Sequence, residues 1–207
     1  MKVGEINIRN FRPSDLERVA EIMALAFEGK FQSLAPMPRE EMPRFLTETG
    51  AVYRSPFPGY VVAEVGGEVV GVLALKWAGQ KRPPGEYPIR RAASKYGWRK
   101  VLKLFLGLWL LEYKPKPGEC YIEHIAVMPG FQGMGIGTRL LEFGEEFARN
   151  NKFERLTLHV ASSNERAIRL YMKRGFKTEK VTRSRITQRL FGIPEWRYMV
   201  KYLTLRM

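Results

Sequence analysis

At 207 residues the chain has the length of one domain, and roughly 70% of the surface of an unfolded chain this long can be buried. Its 45% hydrophobic and 27% charged residues exclude a disordered or fibrous chain, and the lone Cys120 excludes an internal disulfide and suits a reducing cytosol. The net charge of +14 fits a solvated basic surface or an acidic partner; nucleic acid stays open as a partner, without a recognised motif to support it.

In chain order, no apolar run follows Met1-Lys2, so no signal peptide is expected and a cytoplasmic location is. Residues 5–9 alternate as an edge strand. Ser14 and Glu17 have capping-box spacing for a helix running to about Phe27 on Leu16, Val19, Ala20, Ile22 and Met23. Residues 29–38 look irregular, and 39–49 predict a short helix with Pro43 near its start or in a break. Residues 60–65 and 68–76 flank Gly66-Gly67 and predict a hairpin with a primed turn.

The stretch 80–117 is longer than a simple connection needs. Arg82-Pro83-Pro84-Gly85 and Lys114-Pro115-Lys116-Pro117 punctuate its ends. Between them 89–111 predicts a helix or two, with Gly97 as the break. Residues 101–111 are almost wholly apolar but too short to span a bilayer, which takes about 20 residues. Basic residues precede and enter this run at Arg90, Arg91, Lys95, Arg99, Lys100 and Lys103. The favoured reading is a lid packed over the domain's own sheet. A contact with a second copy or another partner comes next, and a membrane surface is the least favoured.

Residues 121–128 predict a strand that Pro129 stops. Gly133, Gly135 and Gly137 then open a helix over 138–149. Three glycines are costly at a helix start unless the backbone must curl and expose its N–H groups. Such a turn at the positive end of a helix suits a diphosphate. The spacing is not that of a Walker loop, and it is not Gly-x-Gly-x-x-Gly. A strand at 155–160 follows, and Asn164 caps a helix from Glu165 that ends at Gly175. Phe176 begins a strand to about Thr182, 183–194 reads as a loop, and 196–205 alternates as the last strand. This order points to an α/β fold with a crossover between neighbouring strands. No Cys/His cluster has metal-ligand spacing.

Gln132-Gly133-Met134-Gly135-Ile136-Gly137 matches Gln/Arg-x-x-Gly-x-Gly/Ala, and so resembles the acetyl-CoA-binding motif of the GCN5-related N-acetyltransferases (GNAT). Ser163-Asn164-x-x-Ala167-x-x-Leu170-Tyr171-x-x-x-Gly175-Phe176 resembles that superfamily's second signature. The motifs cover about 116–182, and strand order carries the rest. The resemblance implies one domain over 1–207: a GNAT-like mixed, mostly antiparallel sheet of about seven strands flanked by helices. A helical insertion at about 80–118 would precede the acetyl-CoA-binding strand. It implies acetyl-CoA as cosubstrate, with its diphosphate on the turn from Gln132 through Thr138. Ile125, Ala126 and Val127 would grip the pantetheine and acetyl carbonyl, Asn164 would contact the pantetheine arm, and Tyr171 would protonate the departing thiolate.

The base stays open. Glu123 and Tyr121 alternate onto one strand face and His124 onto the other, while His159 stands on the neighbouring strand. Tyr121 and His159 match positions that some N-terminal-amine acetyltransferases use through an ordered water. Many other members place a Glu at the position of Glu123, which also reads as a partner for a basic neighbour. An imidazole suits an α-amine near pKa 8 better than a lysine near 10.4. The implied function is direct acetyl transfer in a ternary complex to a primary amine of a protein or peptide. A small-molecule amine, or a non-catalytic CoA-binding or nucleic-acid-associated module, is the alternative. A homodimer is left open.

Overall fold

The computed structural model describes residues 5–83 and 88–203. Seven strands form one sheet in the order β1-β2-β3-β4-β5-β7-β6. They are β1 (Ile6–Asn10), β2 (Tyr60–Val65), β3 (Glu68–Trp77), β4 (Glu119–Val127), β5 (Arg155–Ala161), β6 (Lys177–Arg183) and β7 (Glu195–Tyr202). All neighbours run antiparallel except β4 and β5, which are parallel and joined through α6 (Ile136–Asn150). A parallel neighbour requires such a crossover, so this helix is fixed by topology as well as by its own periodicity.

Helix α6 covers one sheet face, where Ile136 and Leu140 lie over Gly71 and Leu73 meets Gly144. Leu73, Leu75 and Leu140 are fully buried there, each worth about 2 kcal/mol of transfer free energy. Helix α7 (Glu165–Lys173) packs beside it through Leu170. The alternate residues of β3 face the other way, towards α1 (Leu16–Ala26), on which α2 (Glu28–Leu34) and α3 (Met42–Thr49) pack. The insertion forms α4 (Ile89–Tyr96) and α5 (Trp98–Leu110), broken at Gly97 with φ +87°, and α5 packs on α2.

Three local expectations are corrected. Residues 29–38 are not irregular throughout: α2 forms because Phe31 and Leu34 bury a face, Leu34 filling the space over Gly107 of α5. The stretch 183–194 is not a loop. Ser184 accepts from the Thr187 N–H at 3.2 Å and starts α8 (Arg185–Phe191), which Gly192 ends at φ +69°. Ser14 does not cap α1. Pro13–Asp15 forms a 3-10 turn, and buried Asp15 accepts from the Arg12 N–H at 2.8 Å and from Arg9 at 2.7 Å. Met1-Lys2, Pro84-Gly85 and the end of the last predicted strand lie outside the described residues.

Candidate active site

The site begins where two strands separate. β4 pairs with β5 only from Glu119 to Ile122, while its pairing with β3 continues through Val127. The Met128 N–H donates to the Val70 carbonyl at 2.8 Å. Antiparallel alternation then puts Ala126 and His124 in bonded pairs with β3 and turns the N–H and C=O groups of Ile125 and Val127 away from it, into the gap. The sheet thus opens a polar strand edge beside the glycine turn.

A 3-10 turn at Pro129–Phe131 follows, and the Gln132 N–H donates to Pro129. The N–H groups of Gly133, Met134, Gly135, Ile136, Gly137 and Thr138 donate to no carbonyl or side chain among the described residues. Gly133 and Gly135 hold φ at +88° and +84°, which aims these donors outward. They sit at the N-terminus of α6, whose partial positive charge adds to their own. Sequence reasoning missed Arg166, whose guanidinium donates to the Gln132 side chain at 2.8 Å and brings a full charge to this turn. Asn164 caps α7, accepting from the Ala167 N–H at 3.2 Å, which leaves its side-chain N–H groups available. Tyr171 has a buried ring, and its hydroxyl bonds to nothing among the described residues. Burial pushes its pKa up, so it carries its proton at neutral pH.

Two side-chain groups occupy the face opposite α6. The first surrounds Glu123. β4 bulges here, because Ala74 pairs with His124 but Leu75 pairs with Ile122, leaving Glu123 as the extra residue. The expectation that His124 points away from Tyr121 is therefore corrected. Ala74 and Lys76 share a face of β3, so their partners His124 and Tyr121 share one too. Glu123 accepts from the Tyr53 hydroxyl and from Arg82, both at 2.8 Å, with Lys76 at 3.8 Å. Burial alone would raise its pKa, but the Arg82 charge and these hydrogen bonds outweigh that and hold it below the usual carboxylate range. The imidazole of His124 is enclosed beside Tyr53 and Tyr60, and burial pushes its pKa down to about 4. On α2, Lys30 rests over Trp196 at 5.1 Å, and burial pushes its pKa down to about 8.

The second group surrounds His159, whose Nδ1 lies 3.2 Å from the Tyr121 hydroxyl. Tyr113 and Tyr198 flank the imidazole with ring centroids at 4.9 and 5.0 Å. Beneath them Glu119 is fully buried and accepts from Thr157, from Tyr198 at 2.8 Å, from Tyr113 at 3.1 Å and from the Lys116 N–H. Burial opposes ionisation of Glu119, yet these donors keep it ionised. Burial also lowers the pKa of His159, with Glu119 opposing, so the ring is neutral at pH 7. Tyr53, Arg82, Tyr113, Glu119 and Tyr198 were not anticipated as site residues. The one sequence signal near them is the alternation of the last strand, in which Tyr198 falls, and it does not say what Tyr198 faces. Among the described residues no group of His, Cys, Asp or Glu is arranged to hold a metal ion.

A run of unpartnered amides at a helix N-terminus, beside a splayed parallel strand pair, is an arrangement that suits a diphosphate. A model of the acetyltransferase (GNAT) family matches residues 16–176. The chain belongs to that family. An N-alpha-acetyltransferase of Sulfurisphaera tokodaii is 30% identical over 185 residues, 88% of this chain and 86% of that protein. The N-alpha-acetyltransferase RimI of Mycobacterium tuberculosis is 29% identical over 79% of this chain and 73% of its own. The structure of the acetyltransferase yncA from Salmonella typhimurium with its cofactor acetyl-CoA superposes with a TM-score of 0.57 at 15% identity, covering 99% of this chain and 97% of that one. This GNAT chain is thus an acetyl-CoA-dependent N-acetyltransferase with the mixed seven-stranded fold the motifs implied.

Proposed function

We propose that this GNAT enzyme acetylates the α-amine of a peptide or protein chain by direct transfer in a ternary complex. The observation that carries this reading is the neutral imidazole of His159 against the Tyr121 hydroxyl, on the sheet face reached through the strand gap. An imidazole is matched to an α-amine of pKa near 8 and poorly matched to a lysine near 10.4. The relatives named N-alpha-acetyltransferases, matched over most of their length, support the same acceptor.

In this reading the amides of residues 133–138 hold the diphosphate, with Gln132 and Arg166 at the turn's edge. The edge of Ile125, Ala126 and Val127 and the side-chain amide of Asn164 hold the pantetheine arm. A main-chain N–H of that edge polarises the acetyl carbonyl. His159, through Tyr121 or an ordered water, takes the proton from the acceptor ammonium. The amine lone pair then forms the new C–N bond to the acetyl carbon as the C–S bond breaks, the Tyr171 hydroxyl proton passes to the leaving thiolate, and the second proton of the acetylated nitrogen leaves through solvent and restores the Tyr171 hydroxyl. Glu123 balances Arg82 and Lys76 and shapes the acceptor side. Its ion pair makes it a weaker base than a free carboxylate.

The test is a panel of acetyl-CoA reactions read by mass: peptides with a free α-amine, α-blocked peptides with an internal lysine, and small-molecule amines. Acetylation confined to the free α-amine peptides is the expected result. Acetylation of small amines alone, or of lysine alone, refutes the proposal.

A further inference from the structure

We propose that α5 rests flat on an anionic lipid surface, with the residues that face away from the domain as its contact. The inner stripe of α5, Val101, Leu104 and Gly107, is buried, and Gly107 lies directly against Leu34 of α2. The opposite stripe is Trp98, Leu102, Leu106 and Trp109, spaced four, four and three residues apart on one helical face. All four are exposed, Trp98 at 65% and Trp109 at 72%, and Ile89 of α4 is exposed as well. Isolated exposed hydrophobics need no explanation, but a continuous stripe bounded by two tryptophans marks a contact surface.

Charge decides which contact. From residue 88 to residue 111 there is no Asp or Glu, against six Lys and Arg. Of these, Lys95 is paired with Glu48, and the Lys103 ammonium donates to the Ser33 carbonyl at 2.7 Å. Arg90, Arg91 and Arg99 are exposed and have no carboxylate partner among the described residues, while Lys100, four residues before Leu104 and seven before Gly107, lies on the side of the buried stripe. A second copy would have to bring two such uncompensated basic faces together. A nucleic acid would meet Leu102 and Leu106, which offer a base nothing polar. An anionic bilayer satisfies both features: cations at the phosphates, tryptophans at headgroup depth and leucines at the acyl boundary. No helix among the described residues is long and apolar enough to cross a membrane, so the contact lies on the surface.

Vesicle flotation tests this with the full-length protein. Wild type should float with phosphatidylcholine vesicles containing one-quarter phosphatidylglycerol. Binding should fall by about tenfold or more on pure phosphatidylcholine or at high salt. The exposed double variant Leu106→Gln/Trp109→Gln should lose anionic-vesicle binding to a similar extent while keeping its circular dichroism and its acetyl transfer to a soluble acceptor. Wild type that stays at the bottom of the gradient, or a double variant that floats as well as wild type, overturns the proposal. A lipid-free dimer in sedimentation equilibrium that this variant dissolves also overturns it, by assigning the face to a second copy.

Discussion

Replacing Gly135 by Ala isolates the conformational demand of the turn ahead of α6. Gly135 sits at φ +84°, ψ −7°, and a Cβ built there meets no atom within 4 Å. The methyl group therefore has room, and its only cost is the left-handed backbone, about 1–2 kcal/mol. If the turn keeps its shape, that cost appears as lost stability. If it relaxes to negative φ, the amides of residues 133–138 turn away and acetyl-CoA binding weakens by roughly 5- to 30-fold, since 1.4 kcal/mol is tenfold. Gly130 is the control: it lies one turn earlier, its surroundings are equally open and its φ is not positive. Calorimetric titration with CoA, paired with thermal melts, reads both quantities. Gly130→Ala should change neither by more than about 0.5 kcal/mol, and Gly135→Ala should change at least one. Indistinguishable behaviour of the two variants refutes the reasoning.

Arg82→Gln removes the main partner of Glu123 and should cost roughly 2 kcal/mol at pH 7, because both side chains are mostly buried. In wild type the depressed Glu123 pKa gives stability that is present above the unfolded value near 4.5 and is lost as pH falls through the lower folded value. In the variant burial raises that pKa instead, so the stability gap between the two proteins should begin to shrink above about pH 4.5, as pH falls through the variant's raised value, and keep shrinking below it; urea melts showing the same gap at pH 7 and pH 4 contradict the ion-pair account. His159→Ala should lower kcat by about 100- to 10,000-fold with little change in acetyl-CoA binding. In wild type, kcat at saturating peptide should decline only as pH drops through a value below 6.5, the ordinary histidine pKa; a decline centred above 6.5, or a variant with intact kcat, removes His159 from its role. Tyr171→Phe should lower kcat with CoA affinity retained, and unchanged turnover would leave thiolate protonation to water.

Most of the fold was legible because local chemistry decided it. Gly66 and Gly67 both have positive φ, as a primed hairpin turn requires, Gly97 breaks the insertion, and Asn164 caps its helix. The glycine turn ahead of α6 was legible for the same reason, since its glycines and its helix are contiguous in sequence. What escaped depends on distant partners. The bulge that brings His124 onto the face of Tyr121 exists only in the register of β4 against β3. Helix α2 is specified by the pocket that Gly107 leaves for Leu34, more than seventy residues away. Arg82 and Tyr53 reach Glu123 across 41 and 70 residues, and Tyr198 reaches Glu119 across 79. Helix α8 was signalled by Ser184 and Gly192, but its basic residues and nearby Pro194 resembled a loop.

Backbone amide NMR during titration with acetyl-CoA reaches the centre of the account most directly. The largest shifts should fall on the N–H groups of residues 133–138, with a second set at Ile125 and Val127, and pantetheine, which lacks the diphosphate, should reproduce only the second set. Acetyl-CoA binding that leaves the 133–138 amides unmoved would contradict the account.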